Sequence, residues 1–285
     1  MGFRLTRPVA LLSLVIWAAP VLLAENPGAS NKPIPDVPTL LQQARAHQKE
    51  VDKIRENYTY RQYQQQDELD GNGRVKKTET EEDEVFFVNG KEISRKVKKN
   101  GKELSADDQK KEQDRVNKEV EKAAKSSGKH SEGEEEVTIS RVLAVVKISN
   151  PRREMLNGRS TISFDFVGDP KAKAKGREAD IAKKISGTIW VDESDREVAR
   201  VQIRFEDNYH IGGGLIANIQ KGSSFLLEQA PINHEIWLPS STEVHIGARM
   251  LLLKGFHQNI HLKMSEYQKF HADAVMQPGA KVISQ

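Results

Sequence analysis

The sequence predicts an α+β fold that is mainly antiparallel β: a curved, incompletely closed barrel, or half-barrel, covered by an amphipathic N-terminal helix and carrying a charged helical insertion. Three observations predict it. From about Ile162 to Met264, apolar and polar residues alternate in short runs separated by turn residues, as in antiparallel strands with one buried and one wet face. A stripe at helical spacing, Val37, Leu40, Leu41, Ala44, Val51 and Ile54, precedes these runs. Asp70-Gly71-Asn72-Gly73, Asn89-Gly90, Asn100-Gly101 and Asn157-Gly158 are hairpin signals, because Gly and Asn tolerate positive φ.

Residues 1–24 read as a signal peptide: Arg4 and Arg7, an apolar run from Val9 to Leu23, then Ala24 at a cleavage position. The rival reading is an uncleaved anchor, for which the run is short, since a span needs roughly 20 apolar residues. No later segment is long and apolar enough to span, so no membrane span is expected after cleavage, and the location is periplasmic or extracellular. The chain has 0 cysteines, which removes thiolate chemistry, disulfides and a lipidated cysteine. Cleavage leaves 42 basic against 41 acidic residues. That near-neutrality argues against a nucleic-acid partner, which needs a basic surplus on one face.

Residues 25–35 form a flexible lead-in, and 36–270 a single β-rich domain. Asp36 caps the first helix, with Val37 and Pro38 in its first turn, and the helix runs to about Glu56. A meander follows over 58–99. Ser105 and Asp108 open a second helix to about Lys125. With the Gly-, Ser-, Lys- and Glu-rich stretch to Glu136, it makes an insertion, 105–136, standing out from the body. Val137 to Ile148 fits a short helix or a buried strand, and Ile139, Val142, Leu143 and Val146 on one face favour the helix. Ile162, Phe164 and Phe166 share a strand face, and a short helix falls near Glu178 to Lys184. Strands then follow at Thr188–Val191, Val198–Phe205, Leu215–Ile219, Ser224–Gln229, His234–Leu238, Thr242–Ile246, Met250–Phe256 and Gln258–Met264. Residues 271–285 are a C-terminal tail.

No catalytic set emerges, and the sequence is read as that of a non-enzyme without cofactor or metal. His257 and His261 share a strand face, but with Asn259 and Lys263, and no third ligand is evident. Gly212-Gly213-Gly214 and Lys221-Gly222-Ser223 lack the order of a phosphate loop and read as turns. Trp190 and Trp237 could line a ligand cavity or pack in the core.

Gly187-Thr188-Ile189-Trp190-Val191-Asp192, Glu197-Val198-Ala199-Arg200 and the Ile236-Trp237-Leu238-Pro239 strand, together with the leader, the amphipathic helix and the long meander, resemble the periplasmic lipoprotein-carrier superfamily. Its best-known members are the outer-membrane lipoprotein-sorting chaperone and its outer-membrane receptor. The resemblance spans about 36–270. It implies an open antiparallel barrel with helices over its concave apolar side and acyl chains bound between them. The absent cysteine points to a soluble form, and 105–136 is extra relative to the compact carriers. The expected function is binding of a lipid or lipoprotein acyl chain, as carrier or chaperone. The expected groove residues are Leu40, Leu41, Ala44, Val51, Ile54, Phe164, Phe166, Trp190, Val201, Ile203, Phe205, Trp237, Ile260 and Leu262. The alternative is an envelope protein-interaction or sensor module that docks a protein partner through 105–136 and binds no lipid.

Overall fold

The computed structural model describes residues 32–125, 146–169, 177–211, 217–250 and 255–269. The leader, the tail and the segments between these ranges lie outside the described residues, and so do the expectations that fall on them. Helix α1 (Val37–Ile54) begins as its sequence dictates. The Asp36 carboxylate accepts from the Thr39 backbone N–H at 3.1 Å and from its hydroxyl at 2.6 Å, which satisfies free donors of the first turn.

The strands are β1 (Tyr58–Leu69), β2 (Val75–Val88), β3 (Lys91–Lys99), β4 (Lys102–Glu103), β5 (Val146–Leu156), β6 (Arg159–Gly168), β7 (Ile185–Asp192), β8 (Val198–Phe205), β9 (Tyr209–Ile211), β10 (Ala217–Ile219), β11 (Ser224–Ile232), β12 (Ile236–Met250) and β13 (Phe256–Lys269). All join one antiparallel sheet in the order β4-β3-β2-β1-β13-β12-β11-β8-β7-β6-β5, with β10 attached to β12 and β9 to β10. Among the described residues the path does not close, and β4 and β5 end it. Among the described residues, two further helices are α2 (Ala106–Lys125) and α3 (Arg177–Ala182).

Three expectations change among the described residues. His234–Leu238 and Thr242–Ile246 are parts of one strand, β12. Pro239, which suggested a break, sits where the β11–β12 register shifts, a position that tolerates the missing N–H. Of the strand expected from Met250 to Phe256, residues 251–254 lie outside the described residues, with Met250 in β12 and Phe256 in β13. Val146 to Ile148 are strand, because they pair with Phe166 to Gly168 of β6, while 137–145 of the expected helix lie outside the described residues. Finally, α2 does not stand clear of the body. Val116 and Ala123 are buried with Ile93 of β3, and Phe86, Val88 and Val120 pack against them.

Helix α1 reaches two clusters. Leu40, Leu41 and Ala44 are buried with Ile162, Phe164 and Phe166 of β6, Ile185, Ile189 and Val191 of β7, and Val198 and Val201 of β8. Val51 is buried with Tyr58, Ile236 and Leu238, and Ile54 packs against them. The interior beneath α1 is filled by side chains: Leu40 is 1% exposed, Phe164 0% and Phe166 1%. Gly187 permits this packing. A Cβ there would lie 1.9 Å from the Gln202 carbonyl oxygen and 2.6 Å from the Phe166 ring, so only glycine admits the ring.

Candidate functional site: an apolar strip beside the first helix

Cross-strand register shows what lies beyond the packed core. Phe166 is opposite Gly187, Gly187 opposite Ile203, Ile203 opposite Phe225, Phe225 opposite Val244, and Val244 opposite Ile260. A parallel row runs Phe164, Ile189, Val201, Leu227, Thr242, Leu262. Residues directly opposite share a face, so both rows lie on the face that α1 packs against. On β6 and β7 they are buried beneath the helix. On β11, β12 and β13, Phe225, Leu227, Val244, Ile260 and Leu262 are only half-buried. They belong to none of the four buried clusters. On β1 the rows end in Gln66 opposite Ile260 and Gln64 opposite Leu262, with Gln62 opposite Met264.

The result is an apolar floor with one packed wall, at α1 and β6–β8, and one polar wall of glutamines. From β8 to β13 it crosses three strand spacings, about 14 Å. Val201 is buried, and Ile203 and Phe205 are partly buried against the α1 cluster, so they form the hinge between core and floor. Phe225, Leu227 and Val244 were not legible as site residues. Ser224-Phe225-Leu226-Leu227 reads as continuous apolar sequence, and only the pairing with β8 and β12 tells which side chains face α1.

The structure separates the tryptophans from this site. Ile189 and Val191 join the α1 cluster, so Trp190 between them points from the opposite face. Trp237 likewise points away from Ile236 and Leu238, which pack on Val51. Both lie instead with Leu156 and Ala199. Their ring N–H groups donate to Glu154 (2.8 Å) and Asp195 (3.0 Å), with Arg200 over Trp190 and Arg159 over Trp237. This is a polar-capped structural layer, and the sequence could not place it because burial on either face of a strand calls for the same residues.

One titratable pair bears on α1. Glu197, before β8, is 8% exposed. One oxygen lies 3.4 Å from His47 Nδ1 on α1, and the other is buried without a partner. Burial, assisted by the Asp195 charge and opposed by His47, pushes the Glu197 carboxyl up to about 7.

His257 and His261 lie with His245 on the wet face. His257 pairs with Gln220, His245 with Asn259, and the His245 and His261 rings are 6.1 Å apart. Among the described residues, no group of three His, Cys, Asp or Glu is placed to hold a metal ion. Gly222 (φ 89°) sits in a turn, its N–H donating to the Phe205 carbonyl. A cleft of about 210 Å³ lies between β3 and α2, lined by Arg95, Lys96, Glu103, Gln109, Glu112 and Gln113. Its Glu112 is already engaged by Arg115 and the Lys96 N–H.

No family model matches this chain, and no curated protein matches it in sequence. Among solved structures, the chain is similar to a putative outer membrane lipoprotein-sorting protein domain from Vibrio parahaemolyticus, at 9% identity over 84% of this chain and 96% of that one, TM-score 0.40. It is similar to a DUF1329 family protein from Desulfovibrio piger, at 12% identity over 85% and 95%, TM-score 0.34. A LolA superfamily protein from Nitrosomonas europaea aligns at 10% identity over 82% and 93%, TM-score 0.27. These are likenesses of fold, and at such scores they carry no weight for function.

Proposed function

We propose that this protein binds the acyl chain of a lipid or lipoprotein, without chemical conversion, along the strip beside α1. The observation that carries this reading is the row Phe225, Leu227, Val244, Ile260 and Leu262, half-buried and continuous with a core that is otherwise closed. Because side chains fill the space under α1, the chain lies along the helix and not beneath it. Burying ten methylenes there is worth roughly 8 kcal/mol gross. Association costs several kcal/mol of that, so a single chain binds at micromolar affinity or weaker, as suits a carrier that must release its load. The signal-peptide reading of residues 1–24 supports an activity outside the cytoplasm.

The test is uptake of a fluorescent fatty acid, with organic extraction of the purified protein and lipid analysis of the extract. Phe225→Asp and Leu262→Asp each put a carboxylate on the floor and are expected to weaken uptake at least tenfold while leaving the fold intact by circular dichroism. No uptake and no extractable lipid, or full uptake by both variants, would overturn the reading.

A further inference from the structure

A second cleft opens where α1 ends. Tyr58, Tyr60, Tyr267, Phe87, Arg55 and Glu92 line it, and it has a volume of about 40 Å³. The rings are set against one another: Tyr60 and Tyr267 are 5.0 Å apart, and Tyr58 meets Tyr267 edge-on at 6.5 Å. Each phenol has an acceptor: the Tyr58 hydroxyl donates to Glu235, the Tyr267 hydroxyl to the carbonyl of Pro239, which also lines the cleft, and Tyr60 to Glu92 at 3.1 Å.

Most carboxylates along β2 and β3 are matched to cations, as in Glu81–Lys96 and Glu82–Lys98. Among the described residues neither Glu92 nor Arg55 has an ion-pair partner: Glu92 accepts from the Tyr60 hydroxyl, and Arg55 lies over the Phe87 ring at 5.6 Å. One cation and one anion thus line the same aromatic cleft without pairing with each other. An ammonium is attracted both by a carboxylate and by ring faces, and a guanidinium is suited to phosphate. Hydrogen bonding decides which ammonium. An –NH₃⁺ brings three donors for the Glu92 carboxylate, and a trimethylammonium brings none.

We propose that this cleft holds a phosphoethanolamine headgroup, its primary ammonium between Glu92 and the tyrosine rings and its phosphate on Arg55. The lipid is then an aminophospholipid, which rests on the acyl-binding reading above. The spacing agrees with that reading: Tyr60 and Gln64, which flank the cleft and the strip on β1, are four residues or about 13 Å apart along the strand.

The experiment is calorimetric titration of the full chain with short-chain phosphatidylethanolamine, phosphatidylcholine of the same chains, and phosphoethanolamine alone, with fatty-acid uptake measured in parallel. The expected result is a preference for the ethanolamine lipid of roughly tenfold. Glu92→Gln should abolish that preference and Arg55→Gln should weaken both phospholipids, with fatty-acid uptake unchanged in either variant. Equal affinity for the two phospholipids, with uptake intact, overturns the headgroup site and leaves the acyl strip standing. Binding of phosphoethanolamine without any fatty-acid uptake overturns the acyl strip, and with it the lipid as source of the headgroup, while supporting the cleft as a site for the free zwitterion.

Discussion

His47 on α1 lies 3.4 Å from Glu197, a carboxyl that is otherwise buried beneath that helix. Glu197 is raised from 4.5 to about 7, first by burial. The folded state therefore binds this proton more tightly than the unfolded chain does, and the stability that comes with it is lost as pH rises from about 4.5 to about 7. Glu197→Gln should remove that slope and make the protein more stable than wild type above the window. Urea midpoints measured across it will show a falling line for wild type and a flat one for the variant.

Asp192, in the same turn, behaves oppositely. Burial pushes it up, but the Arg159 guanidinium and the Asp195 and Ser194 backbone N–H groups outweigh burial and hold it below the ordinary value of 3.8. Its contribution is present above that value and is lost as pH falls toward the folded pKa. Asp192→Ala leaves those donors short of an acceptor and should cost about 2–4 kcal/mol at neutral pH, read from denaturant unfolding.

Phe164 is fully buried between α1 and β7. Phe164→Ala should cost about 3–5 kcal/mol. Gly187→Ala, by pressing on the Phe166 ring and the Gln202 carbonyl, should cost about 1–3 kcal/mol through overpacking. Both are checked by thermal melting.

The α2 cluster shares no residue with the two clusters that α1 reaches. Val116→Asp buries a charge there and should detach α2, costing several kcal/mol locally. Fatty-acid uptake should persist, because the strip lies on β11–β13. Faster hydrogen exchange confined to α2 and β3 is the expected reading.

Much of this was legible because it is local. The Asp36 cap, the Asn157-Gly158 turn (φ 49° and 78°) and the alternation of Val201, Ile203 and Phe205 depend on a few consecutive residues. The failures are non-local. Strand identity at Val146 to Ile148 needed β6 as partner, and the continuity of β12 through Pro239 needed a register shift against β11. The tryptophans and Phe225 show the same limit in the site itself. Which face a side chain serves is fixed by a neighbour far away in sequence, and an apolar run looks alike on either face.

The two ends of the open path are also poor templates. β4 has two residues, and β5 is interrupted by Asn150, at φ 53°, followed by Pro151, where its register against β6 shifts. A long bare sheet margin invites other chains to add themselves, and Pro, bulges and short strands at the margin discourage it. A molecule with a half-buried apolar strip on its sheet thus offers strangers few of the backbone rungs on which a fibre would grow.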